Sequence, residues 1–153
     1  MNNKLRLAIV VLCVVGAVLS AVSLRNHYST TSSDYCDLNE TFNCDLVNRS
    51  VYASVGPIPV ALIGLMGYGF LIALSFLPGR EFAIIRIVSS FAGLAFALYL
   101  AYIEARVLAV WCLLCIGSLA SIAGVAALST VAFARSRRTG AGGRLAEAKI
   151  GES

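Results

Sequence analysis

Four apolar runs, each 20 residues or longer, constrain the fold of this chain more than any other feature. A helix needs about 20 consecutive apolar residues to cross the hydrocarbon core of a bilayer. The runs cover residues 5–24, 58–77, 82–103 and 107–133. The composition agrees, because 59% of the residues are hydrophobic and 13% are charged. Soluble domains average about 45–50% apolar residues and about 25% charged residues. The sequence therefore predicts an all-α integral membrane protein.

Short connections make the last three runs neighbours in space. Only PGRE separates the second run from the third, and only EAR separates the third from the fourth. Links this short join antiparallel helices, so we expect a four-transmembrane-helix bundle over residues 1–133. Residues 25–57 form the one long loop, which ends in the helix-breaking GPIP. Residues 134–153 are rich in Gly and Arg, and we expect a disordered basic tail there.

The distribution of basic residues predicts the orientation in the membrane. With both termini in the cytoplasm, nine of the twelve Lys and Arg residues fall on the inside, as the positive-inside rule requires. The loop 25–57 then faces outside, and the net charge of +4 reflects topology and not nucleic-acid binding. A cleavable secretory signal is the rival interpretation of the first run. That run is longer than the apolar core of a signal, about 7–15 residues, so we expect it to be retained.

The chain contains five cysteines, the residue type here that is able to carry out redox chemistry. Cys13 lies in the middle of the first run, where a buried thiol is an inert packing residue. The other four form two pairs on the predicted outer side, Cys36 with Cys44 in the loop and Cys112 with Cys115 at the start of the fourth run. That side corresponds to an oxidising compartment, where disulfides persist.

The C-x-x-C pair lies at the margin between water and lipid. Cys112 and Cys115 are three residues apart, so one helix face presents both thiols. A helix beginning near residue 107 or 108 would put Cys112 in its first turns, where the positive helix end favours a thiolate. A loop dithiol can reach such a pair from water, and a lipid-soluble oxidant can reach it from the membrane. A quinone suits that position because it accepts two electrons, the number that a dithiol releases on forming a disulfide.

Other uses of these cysteines have weaker support. Four thiolates suit zinc, but the ligand spacings of eight and three are not a common zinc pattern, and we predict no metal site. Ordinary structural disulfides remain possible for both pairs, although a C-x-x-C bridge closes too short a loop to stabilise much. Hydrolytic and nucleotide chemistry find no support, because the chain has one His, eight acidic residues and no Gly-rich phosphate loop.

Several motifs occur together in one order along the chain. The loop holds the C-x7-C pair Cys36 and Cys44, with Ser50 six residues later and GPIP after it. GLMGY lies in the second run, and WCLLC opens the fourth. As a set these motifs resemble the vitamin K epoxide reductase family, and the resemblance covers roughly residues 5–133.

The resemblance implies a thiol relay that ends on a quinone, either ubiquinone or menaquinone. Cys36 would exchange disulfides with a separate thioredoxin-fold protein of the DsbA type, because the tail is too short for a fused thioredoxin-like domain. Cys44 would pass the electrons to Cys112 through a transient disulfide, and Cys115 would deliver them to the quinone. The loop would have to swing or dock onto the fourth run during turnover.

The resemblance also suggests three supporting residues, each with a structural alternative. Ser50 is expected near the quinone, or else as a serine that caps a turn or helix. Trp111 is expected to line the mouth of the quinone site or to anchor the chain at the membrane interface, where Trp is enriched. Tyr68 is expected to line the pocket or only to pack.

One departure from the family pattern bears on the reaction. Animal members that reduce the epoxide carry a tyrosine four residues after the second C-x-x-C cysteine, and Leu119 occupies that position here. The resemblance is therefore to a bacterial quinone-dependent thiol oxidase, monomeric, in the cytoplasmic membrane, with its cysteines facing the periplasm. A reductase of vitamin K quinone or its epoxide, and a non-enzymatic membrane assembly or zinc-binding protein, are the alternatives.

Overall fold

The computed structural model of the chain describes residues 3–29 and 43–150, with the backbone alone for residues 45 and 138–150. The helices within these residues are α1 (Asn3–Tyr28), α2 (Cys44–Asn48), α3 (Val60–Phe76), α4 (Arg80–Ile103) and α5 (Leu113–Ile150). A 3-10 turn at Val51–Ala53 and a small antiparallel hairpin, β1 (Ser54–Val55) with β2 (Ile58–Pro59), lead into α3. A π-helical turn at Glu104–Leu108 extends α4.

Three segments are long and apolar enough to cross a membrane, namely Asn3–Tyr28, Arg80–Leu108 and Leu113–Arg137. The 17 residues of α3 make a shorter apolar helix, at the low end of the range of about 17–25 residues for a membrane span. The described part of the chain is thus mostly helical, with three to four apolar helices, as expected for an all-α membrane protein.

The four long helices pack as a ring. Helix α1 lies between α3 and α5, and α4 packs against the same two helices from the other side. Apolar side chains from α1, α3 and α5 fill the middle of the bundle: Ile9, Cys13, Tyr68, Leu71, Ile122 and Val125. Cys13 is fully buried in this core, which agrees with a packing role.

A glycine permits a close approach between α1 and α3. A Cβ atom at Gly16 would lie 2.2 Å from Cζ of the Tyr68 ring, far inside van der Waals contact. Tyr68 is only 4% exposed, so the ring has little room to retreat. Small residues bring membrane helices together in this way because lipid supplies no hydrophobic force between helices.

Gly16→Ala should therefore destabilise the bundle by about 1–3 kcal/mol, the usual cost of overpacking a core. Thermal unfolding of the purified protein in detergent measures the effect. Gly67→Ala is the matched control, because a Cβ at Gly67 meets nothing within 4 Å. Equal melting temperatures for the two variants would contradict the packing described here.

The structure corrects the boundaries of two predicted spans. The fourth run was expected to be helical from residue 107, but residues 104–108 close the preceding helix and α5 begins only at Leu113. Ala109 has the left-handed conformation (φ 52°, ψ 25°) that ends helices. Likewise, α3 begins at Val60 and not at residue 58, because the two residues of β2 pair with β1. Hydropathy does not reveal where either helix begins, because residues 107–112 and 58–59 are all apolar.

The tail also differs from the expectation of a disordered segment from residue 134. Helix α5 continues without a break to Ile150. Residues 144–149, RLAEAK, are strong helix formers. A helix that leaves the bundle is already nucleated, so each further residue adds a hydrogen bond without the initiation cost.

Candidate redox site

The structure brings two cysteines from distant parts of the sequence into contact. Cys44 begins α2, and Cys112 directly precedes α5. Their Sγ atoms are 3.5 Å apart, and both side chains are fully buried. Cys44 is disulfide-bonded, whereas Cys112 and Cys115 are free thiols. Cys36 lies outside the described residues. A thiol this close to a disulfide sulfur is placed for thiol–disulfide exchange.

Hydrogen bonds from two sides hold α2 against the bundle. On the α1 side, the Ser23 hydroxyl donates to Oδ1 of Asn48 at 2.6 Å, and Nδ1 of His27 bonds to the Asn48 carbonyl. On the α5 side, the Asn43 N–H donates to the Trp111 carbonyl at 3.2 Å. The position of Cys44 beside Cys112 therefore follows from contacts made by the residues on either side of Cys44.

Cys112 occupies the N-cap position of α5, and it is not inside the helix as the predicted span implied. Its carbonyl accepts the first intrahelical hydrogen bond, from the Ile116 N–H at 3.0 Å. A hydrogen bond from the Cys115 thiol lowers the pKa of Cys112, and the backbone N–H groups of Cys115 and Leu114 lower it further. These contributions outweigh burial and the nearby Glu104 carboxylate, which raise the pKa. Cys112 is thus the better nucleophile at neutral pH, because the thiolate is the reactive form.

Cys112 should ionise below the ordinary cysteine pKa of 9.0. A lower pKa means a larger thiolate fraction at any given pH. In an alkaline titration of the reduced protein, the thiolate absorbance should therefore begin to rise at a lower pH than for an ordinary cysteine. The Cys112→Ser variant supplies the blank that isolates this contribution. Cys115→Ala should move the transition upward, because it removes the largest stabilising hydrogen bond. A transition at or above pH 9 in the unaltered chain would contradict the assignment.

A buried carboxylate lies beside both cysteines of the C-x-x-C pair. Glu104 is 3% exposed, and its Oε2 accepts the Cys112 N–H at 3.1 Å. The same side chain is a second acceptor within hydrogen-bonding reach of the Cys115 thiol, beside Cys112. Glu104 opens the π-helical turn, and such turns often mark functional sites. In the sequence, Glu104 belongs to EAR, which is predicted only as a link between two runs. The available signal was an acidic residue eight positions before Cys112 between two apolar runs.

A largely apolar cavity of about 400 Å³ opens between α1, α3, α4 and α5. Cys115 lines this cavity, whereas Cys44 and Cys112 do not. The two adjacent thiols of the C-x-x-C pair therefore have different surroundings, since Cys112 contacts Cys44 of α2 and Cys115 lines the cavity. Polar side chains interrupt the apolar lining at several points: Ser20, Ser23, His27, Asn48, Ser50, Ser89, Glu104 and Ser118.

The three supporting residues fall in different places. Tyr68 lines the cavity and also packs in the core, with its hydroxyl donating to the Ser118 carbonyl at 2.8 Å. Ser50 lines the cavity too, but its hydroxyl donates to the Val47 carbonyl at 2.8 Å, as a serine at a helix end does. Trp111 is half-buried and is not among the described residues that line the cavity.

Several residues of this site carry no recognisable signal in the sequence. His27, Asn48 and Ser118 reach the cavity from α1, α2 and α5, and only the packing of the helices brings them together. As for a metal, the side chains that the structure describes include no group of three or more His, Cys, Asp or Glu residues able to hold one.

The chain was also compared with models of known protein families. The model of the vitamin K epoxide reductase family matches residues 7–130. The match covers every element from α1 to the part of α5 that follows the C-x-x-C pair, and so includes all described residues of the site.

Proposed function

The chain belongs to the vitamin K epoxide reductase family, and from this premise we propose that it reoxidises a periplasmic thioredoxin-fold protein and passes the electrons to a membrane quinone. Members of the family are membrane oxidoreductases that link thiols to quinones in general. Such an activity would support disulfide bond formation outside the cytoplasm.

One observation carries the proposal: the C-x-x-C pair has one sulfur on each side of a boundary. Sγ of Cys112 is 3.5 Å from Sγ of Cys44, while Cys115 lines the apolar cavity. With the Cys44 sulfur on one side and an apolar chamber on the other, the C-x-x-C pair can accept electrons from reduced Cys44 while it is a disulfide, and can release them into the chamber once it is a dithiol. Neither a structural disulfide nor a packing cysteine requires this arrangement.

The relay consists of two exchange reactions followed by one oxidation. A reduced partner protein first reduces the Cys36–Cys44 couple. The Cys44 thiolate attacks Cys112, which forms a Cys44–Cys112 disulfide and releases Cys115. Cys36 then attacks Cys44 and releases Cys112, so that two electrons have moved to the C-x-x-C pair. That pair returns to the disulfide when the electrons and two protons pass to the quinone.

The cavity suits the ring of a quinone. Its lining is mainly apolar with a few polar groups, the usual character of a pocket for a small organic molecule. The Tyr68 hydroxyl and Ser118 lie close to the wall on the α3 and α5 sides, and Ser50 borders the cavity beside α2. We propose these three as supporting residues. Trp111, which does not line the cavity, is proposed as an interfacial anchor.

Topology supports the direction of electron flow. Cys44, Cys112 and Cys115 lie where α1 ends and α5 begins. This is the end of the bundle remote from the basic residues Lys4, Arg6 and Arg137. The positive-inside rule assigns that end to the outer face of the membrane, where a DsbA-type protein would meet it. We propose that both termini are cytoplasmic. Val51 lies next to α2 and is 82% exposed, so in a Val51→Cys variant an impermeant thiol reagent should label the new thiol in intact cells, and labelling only after cell lysis would contradict this topology.

The test uses purified protein with a short-chain quinone and a reduced thioredoxin-fold protein. We expect oxidation of the partner thiols in step with quinone reduction, and loss of both on Cys115→Ala. Cys13→Ala is the matched control, because this buried cysteine lies in the core of the bundle and does not line the cavity. Turnover only with vitamin K epoxide would support the alternative reductase despite Leu119. If turnover is unaffected by substitution of each of the four site cysteines, no thiol relay operates.

A further inference from the structure

The Glu104 carboxylate contacts both cysteines of the C-x-x-C pair, but it has no role in the thiol relay proposed above. It accepts the Cys112 N–H at 3.1 Å and lies within hydrogen-bonding reach of the Cys115 thiol. It also lines the same cavity as Cys115. Ionised carboxylates are costly to bury, so a side chain that is 3% exposed at this position requires an explanation.

The backbone around Glu104 is irregular in a way that positions the carboxylate. A π-helical turn, Glu104–Leu108, replaces the last α-helical turn, and Ala109 follows in the left-handed conformation. That conformation is uncommon and unfavourable for a residue other than glycine. The detour returns the chain from Glu104 to the Cys112 N–H within eight residues. A regular helix would carry the segment onward, away from Glu104.

The chemistry of the pair requires a proton carrier at this position. When Cys44 attacks the Cys112–Cys115 disulfide, the sulfur–sulfur bond breaks and Cys115 leaves as a thiolate that needs a proton. When the pair is later oxidised, the Cys115 S–H bond breaks and its proton must depart as the new disulfide forms. Cys115 lines a largely apolar cavity, where water is a poor source and acceptor of protons.

We propose that Glu104 is the proton carrier of the C-x-x-C pair, giving a proton to Cys115 on reduction and accepting it again on oxidation. The inference rests on the proposed function for its second half, since there the two electrons and the protons finally reside on the quinone as hydroquinone. Its first half is a thiol–disulfide exchange within this chain and needs no quinone. Glu104 is then a catalytic residue, because it touches the reacting sulfur.

Three substitutions separate proton transfer from a structural role. Glu104→Gln retains an oxygen that can accept the Cys112 N–H but cannot carry a proton. Glu104→Asp retains the carboxylate on a side chain one methylene shorter. Glu104→Ala leaves space that a small carboxylate such as formate can occupy. A merely structural Glu104 predicts that Gln works as well as Glu and that formate does nothing.

The first measurement needs no quinone. In a full-length chain with Cys36→Ser and Cys44→Ser, the oxidised C-x-x-C pair is reduced with dithiothreitol and the appearance of free thiols is timed. Glu104→Gln should slow the reduction by about 100-fold or more, in the range that general acid–base catalysis contributes. Glu104→Asp should retain most of the rate, and formate should accelerate Glu104→Ala without affecting the parent. Equal rates for Glu104→Gln and its parent would overturn the inference.

The second measurement is quinone-dependent turnover of the chain with all five cysteines. A loss of about 100-fold in Glu104→Gln, together with slow dithiothreitol reduction, supports the whole inference. If the unaltered chain shows no quinone turnover while Glu104→Gln still slows reduction by dithiothreitol, the proposed function fails and the role of Glu104 in exchange stands. Melting temperature and elution volume in detergent show whether each variant is folded, and Glu104→Asp keeps the inference testable if Glu104→Gln is not.

Discussion

A chain with Cys36→Ser and Cys115→Ser should form a Cys44–Cys112 disulfide in nearly every molecule under mild oxidation. The two Sγ atoms are 3.5 Å apart, and a covalent sulfur–sulfur bond of about 2.0 Å needs only a small approach. Without Cys36 or Cys115, no neighbouring thiol remains to resolve that bond. Peptide mapping by mass spectrometry under non-reducing conditions identifies the linked peptides.

The matched control keeps Cys44 and changes its partner. With Cys36→Ser and Cys112→Ser, the thiols left at the site are Cys44 and Cys115, and Cys115 belongs to the cavity wall. We expect little cross-linking in this variant under the same oxidation. Equal yields in both variants would mean that α2 moves freely, and would remove the basis for assigning Cys112 as the acceptor from Cys44.

Filling the cavity should abolish quinone-dependent oxidation and leave the exchange between cysteines intact. Ala97 lines the cavity from α4, and Ala97→Trp adds a bulky ring to a chamber of about 400 Å³. The KM for a short-chain quinone should rise more than tenfold, or turnover should fall to background. The Cys44–Cys112 cross-link should form as before, because neither cysteine lines the cavity.

Ala95→Trp is the control for added bulk on the same helix. Ala95 is exposed on α4 and is not among the residues that line the cavity. We expect it to leave the KM for the quinone unchanged, because the side chain at position 95 does not line the cavity. If Ala97→Trp behaves like Ala95→Trp, the oxidant reaches Cys115 by a route other than this cavity.

The sequence predicts the helical membrane class well, because apolar runs of spanning length leave the backbone few other ways to satisfy its hydrogen bonds. It also marks the cysteines, whose residue type alone restricts their chemistry. The proximity of Cys44 to Cys112 was expected only from the family resemblance. Spacing along a chain does not specify how a loop folds back over a bundle.

The details that shape the site escape prediction for physical reasons. Hydropathy does not distinguish Val107 and Leu108 in a π-helical turn from the same residues at the start of a new helix. Nothing in the identity of Ala109 indicates its left-handed conformation, which is rare for a residue other than glycine. Consequently the sequence predicts that Glu104 lies in a polar link, although in the fold it is buried against Cys112.

The anchoring of α2 on two sides has a consequence for the speed of the relay. Hydrogen bonds to Ser23, His27 and the Trp111 carbonyl already hold Cys44 in register with its acceptor. The handover inside the protein then involves no long excursion of chain through solvent, and thickening the medium with a viscogen should leave it unhindered. Binding and release of the thiol partner protein would then limit the rate of turnover, and the enzyme would act as a rigid site to which successive redox partners bind.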